Sequence, residues 1–89
     1  MTEQGKPIAW RALQPGTRVY SNDGERLGKV SHVIADDSKD IFSGLAFQRG
    51  MLGHELFAPA PFVERITTDG VHLSLSSDEV ETRLRAYGG

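Results

Sequence analysis

Residues 21–37 read SNDGERLGKVSHVIADD, and the fold turns on how this stretch is read. Asp23-Gly24 stands between a short run, Arg18-Val19-Tyr20, and a second run that begins near Arg26. Asp-Gly supplies the positive φ angles of a tight hairpin, so the two runs are expected to pair as antiparallel strands. Val30, Val33 and Ile34 break strict alternation in the second run, which predicts a bulge or sharp coil near Ser31-His32. The stretch ends in Asp36 and Asp37, continued by Ser38-Lys39-Asp40 as a polar turn cluster. Calcium takes several oxygen ligands, but here Lys39 sits among the acids and no twelve-residue loop with a distal Glu follows. Gly24 and Gly28 lack the glycine spacing and the following helix of a phosphate loop. The whole stretch therefore reads as turn and strand, with no metal or cofactor site.

The same signals continue along the chain. Ile41, Ser43, Leu45 and Phe47 keep a two-residue period and read as one face of a strand. Gly50-Met51-Leu52-Gly53 is expected to turn into a strand from His54 to about Ala58, which Pro59 and Pro61 end. Residues 61–66 fit one turn of helix with Pro61 at its start. Thr68-Asp69-Gly70 then turns into Val71-His72-Leu73-Ser74-Leu75, with Val71, Leu73 and Leu75 on one face and His72 outward. Ser76 and Glu79 satisfy the capping-box pattern at the start of a helix placed at 77–87, whose Val80, Leu84 and Tyr87 line one face. About five or six short strands with frequent turns predict a mainly β fold, a small antiparallel β-barrel with a short helical turn and a C-terminal α-helix. The barrel domain is placed at 16–89, after an N-terminal arm, 1–15, that is either a short helical turn or an extended segment.

Composition narrows the function classes. Eighty-nine residues with 38% hydrophobic content make one small domain. Ten Lys and Arg against twelve Asp and Glu leave a formal charge of −2 with the signs interspersed, which argues against strong, sequence-independent phosphate binding and direct nucleic-acid binding. The absence of cysteine excludes disulfides, thiol nucleophiles and thiolate metal sites. With no signal-like apolar run and no long apolar span, a cytoplasmic protein without membrane insertion is expected.

The order of these elements resembles the PRC-barrel family, the module seen in the photosynthetic reaction-centre H subunit and in the ribosome-maturation protein RimM. The resemblance rests on Asp23-Gly24-Glu25-Arg26-Leu27-Gly28-Lys29-Val30, on Val33-Ile34-Ala35-Asp36, and on the Arg49-Gly50-Met51-Leu52-Gly53 turn. Pro59 before Val63, the Gly70-Val71-His72-Leu73 strand and the Ser77-Asp78-Glu79-Val80 helix start complete it. It implies a scaffold reused for protein contacts.

No catalytic constellation accompanies this pattern. His32, His54 and His72 lack a second ligand at helical spacing and read as exposed or edge histidines, and no Gly-x-Ser-x-Gly elbow occurs. Two apolar features stand out instead. Met51 and Leu52 fall at a hairpin tip, either as an exposed contact point or as a plug for the barrel mouth. Trp10, with Ile8 and Leu13, precedes the barrel and either anchors an interface or packs on its own domain. The expected function is a non-enzymatic protein-interaction or adaptor module that forms a homodimer. The resemblance to RimM supplies the alternative, an RNA- or ribosome-associated accessory factor.

Overall fold

Asn22, Asp23 and Gly24 form a three-residue hairpin loop between β1, Arg18–Tyr20, and β2, Arg26–Asp36. Ser21 N–H donates to the Glu25 carbonyl at 2.9 Å and Gly24 N–H to the Ser21 carbonyl at 3.1 Å, with Gly24 at φ 86°. Gly24 alone carries the positive φ; Asp23 does not, because this loop is a type I turn followed by one left-handed residue. The computed structural model describes residues 6–50 and 54–87.

β2 continues antiparallel to β3, Ile41–Arg49, and its register shifts between Val30 and His32, where the sequence predicts a bulge. A second shift falls between Ile34 and Ala35. Beyond the polar turn, Asp40 adopts the left-handed conformation at φ 55°. β3 pairs with β4, His54–Pro59, from Arg49↔His54 to Gly44↔Pro59. The expected helical turn over 61–66 is shorter than predicted: a 3-10 turn covers Ala60–Phe62 and β5 takes Val63–Thr67. Val63, Ile66 and Thr67 are β-branched and gain a ladder with β6, Gly70–Leu73, which one helical turn cannot match.

The helix placed at 77–87 is also shorter. α1 is Ser77–Arg83, and Leu84 is already extended at φ −103°, ψ 149°. Arg85–Ala86 form β7 on the outer edge of β4, where Tyr87 N–H donates to the Glu55 carbonyl at 3.0 Å. A short helix is marginal by itself, so edge pairing captures its last turn. The capping box is present: Glu79 N–H donates to Ser76 Oγ at 3.2 Å and Ser76 N–H to Glu79 Oε1 at 2.9 Å.

The result is a curled seven-stranded sheet in the order β5-β6-β1-β2-β3-β4-β7, a half-barrel. Its ladders are antiparallel except that β1 and β6 run parallel, pairing Val19 with Val71 and Tyr20 with His72. Phe47, Leu45, Leu73, Val19, Val71 and Val80 are fully buried inside the curl. Leu84 closes the core from beyond α1. Ile41 does not share the burial of Leu45 and Phe47, with which it keeps a two-residue period, and is 49% exposed, while Phe42 packs on the core. Ile41 is the first residue of β3, opposite Asp36 and just beyond the Ile34/Ala35 shift, so the alternation of Leu45 and Phe47 does not carry through to it.

Candidate functional site

The N-terminal arm is both of its predicted forms in succession. Thr68 N–H donates to the Lys6 carbonyl at 2.9 Å and Ile8 N–H to the Ile66 carbonyl at 3.0 Å, so residues 6–8 lie along the free edge of β5. A 3-10 turn over Trp10–Ala12 follows. Leu13 is 6% exposed and joins the core, whereas Ile8 and Trp10 are half-buried against it. Trp10 stacks on Phe42 with ring centroids 5.8 Å apart, and the Arg11 guanidinium lies 4.7 Å from the centre of the indole. Arg11 also bridges the acidic turn, 2.9 Å from Asp37 Oδ1 and 2.8 Å from Asp40 Oδ1. Those acids thus give the arm one solvent-exposed tether.

Ile8, Trp10, Val33, Phe42, Phe62 and Val63 form the half-buried apolar rim of the core. Of the candidates read from the sequence, the structure brings Ile8 and Trp10 to this rim and turns Leu13 inward. Met51 and Leu52 lie outside the described residues. Phe42 and Ile41 were not singled out in the sequence; their strand period matches that of any half-buried strand and carries no sign of exposure.

The histidines have separate surroundings. His32 is exposed and packs on Tyr87, with centroids 5.4 Å apart, while Tyr87 also stacks on Phe57 at 6.2 Å. His54 is exposed at the start of β4. His72 points outward as expected but is half-buried rather than bare, because Tyr20 stacks on it at 5.4 Å. Desolvation, and then the nearby Arg65 charge, push the His72 pKa below its ordinary value, against the pull of Asp69 and Glu64. Among the described residues no three His, Asp or Glu side chains gather as a metal cluster, and no helix is long and apolar enough to cross a membrane.

The family model for the PRC-barrel domain matches residues 16–79. The chain belongs to the PRC-barrel domain family. No curated protein matches it. The matched segment of this PRC-barrel runs from the turn before β1 into α1, so the arm that carries Ile8 and Trp10 lies before it and the β7 edge after it. A small β-barrel module follows from the family.

Proposed function

We propose that this PRC-barrel is a non-enzymatic protein-interaction module of the cytoplasm that pairs with a second copy of itself through the rim around Trp10. The Trp10–Phe42 stack carries the reading: both rings are half-buried, and Ile41, next to Phe42 in sequence, is the exposed large hydrophobic residue of the described chain. A tryptophan presented with aliphatic neighbours is the side-chain type that dominates interface energies. A domain this small leaves much of its surface unburied, so association adds stability that its own core does not supply. A two-fold pairing lets one patch serve both partners.

Light scattering across a dilution series tests the proposal. Wild type is expected at twice the monomer mass at high micromolar concentration, and Ile41→Lys at the monomer mass with an unchanged circular-dichroism spectrum, since Ile41 supports little of the core. Trp10→Ala is expected to weaken the dimer and lower the melting temperature together. A wild type that stays monomeric removes self-association. A dimer that survives Ile41→Lys but is lost in the double variant Met51→Ala/Leu52→Ala moves the interface to Met51 and Leu52.

A further inference from the structure

The outer face of β5, β6, β1 and β2 carries a charge pattern that strand pairing does not require. Strand register sets Arg65, His72, Tyr20 and Arg26 side by side across these four strands. In the adjoining row Arg18 lies directly opposite Lys29. Val19 is fully buried, so alternation sends Arg18 and Tyr20 outward. Arg18, Arg26, Lys29 and Arg65 are all exposed, which puts four of the ten Lys and Arg residues on one sheet face.

Like charges directly opposite each other weaken a sheet, so the Arg18–Lys29 pair is a cost to the fold. Arg11, Arg49 and Arg83 each have a carboxylate partner, but no ion pair among the described residues includes Arg18, Arg26 or Lys29. Above this face opens a cleft of about 740 Å³, between the 21–24 turn and the 64–69 hairpin, with Arg18, Tyr20, Arg65 and His72 in its lining. That volume suits a small molecule. Asp23, Glu64 and Asp69 also line it. Asp23 is already engaged, accepting from the hydroxyls of Ser21 and Ser77, whereas Glu64 and Asp69 act on His72 from the β5 side.

We propose that this cleft binds a small molecule through an oxyanion, a phosphate or carboxylate group seated against Arg18 and Arg65 over the stacked Tyr20 and His72 rings. Guanidinium groups match the paired oxygens of such an anion, and Arg26 and Lys29, on the same sheet face but outside the cleft's lining, offset the charge of Asp23, Glu64 and Asp69. Glu64 and Asp69 then accept from hydroxyl or amine groups of the same ligand. The site goes beyond the self-association proposed above and uses different residues. His72 feels the charges of Arg65, Asp69 and Glu64, stacks on Tyr20 from β1, and shares the cleft's lining with Arg18 and Asp23. A bound oxyanion favours its protonated form, so binding tightens as the pH falls through the histidine range.

The test is an NMR titration of the full chain with inorganic phosphate and, separately, citrate, at constant ionic strength, following the Gly24 and Gly70 amides and the His72 ring. Saturable shifts are expected, with an upward move of the His72 titration midpoint. Arg18→Ala is expected to weaken binding roughly tenfold, the scale of one lost charge-assisted hydrogen bond. Lys29→Ala should weaken binding while raising the melting temperature, because it relieves the like-charge pair. Saturation by phosphate alone assigns a phosphate ester, and by citrate alone a carboxylate. No saturable shift with either anion, or equal affinity in Arg18→Ala, overturns the site. A single-stranded RNA octamer that binds through the same residues more tightly than both anions overturns the small-molecule assignment.

Discussion

Tyr20 and His72 stack across the parallel ladder of β1 and β6, with ring centroids 5.4 Å apart and 18° between the ring planes. Two segments from opposite ends of the barrel domain meet there, and the contact desolvates an imidazole that its strand alone would leave in water. The site couples the closing of the sheet to a proton.

His72 holds a proton less readily in the fold than in the unfolded chain, because its folded pKa is lowered. Its contribution to stability is therefore complete above about pH 6.5, the ordinary histidine value, and falls as the pH drops from there through the lower folded value. Urea midpoints at about pH 7.5 and 5.5 are expected to separate for wild type and to lie closer together for His72→Gln. An equal separation of the midpoints in the two proteins would refute the assignment.

Gly28 and Gly24 lie in the same quoted stretch but fail differently when substituted. A Cβ on Gly28 would stand 1.9 Å from the Gln48 carbonyl oxygen on the neighbouring strand, so Gly28→Ala is expected to cost about 3 kcal/mol. At Gly24 nothing lies within 4 Å and only the positive φ resists a side chain, so Gly24→Ala should cost about 1–2 kcal/mol. Denaturant melts rank the two, and the reverse order would contradict the close approach of β2 and β3.

Arg11 joins its arm to Asp37 and Asp40 through pairs in which the partners are 82% and 74% exposed. Pairs this wet contribute little, and Arg11→Ala is expected to cost under about 1 kcal/mol. Hydrogen exchange at Ile8 and Thr68 should nevertheless speed up, because the arm loses a tether while the core is untouched. Unchanged exchange would show that Leu13 and Trp10 hold the arm without it.

The capping box gives a prediction of the opposite kind. Ser76→Ala is expected to cost about 1 kcal/mol by leaving the Glu79 N–H without its side-chain acceptor. Glu79 has its pKa lowered, first by the Ser76 N–H and then by the Ser76 hydroxyl. Its share of stability is thus present above the unfolded carboxyl value and is lost as the pH falls through the folded one. An acid titration of Glu79→Gln should show a smaller loss over that range than wild type.

Much of the fold was legible because its signals are local. The turn at Asn22-Asp23-Gly24, the bulge after Val30 and the Ser76–Glu79 box each involve residues within a few positions of one another, and the structure contains all three. Legibility failed where a distant partner intervened. The expected helix gave up residues 85–87 to the edge of β4, and residues 63–66 became strand because β6 was there to pair with them. Ile8 and Trp10 were legible as an apolar patch, but the sequence did not distinguish them from Leu13, which lies in the core.

By itself the sequence determined a mainly β domain, most of its strands and turns, and the start of its helix, because steric limits on φ and short-range hydrogen bonds act within a few residues. Tertiary structure decided the parallel joining of β1 to β6, the strand that ends the helix, and the burial of Leu13 beside the partial exposure of Trp10. It also aligned Arg65, His72, Tyr20 and Arg26 across four strands, a row whose members are scattered along the chain. These outcomes depend on which distant edges meet and in what register, and that is chosen by the burial and ladder bonding of the whole sheet together.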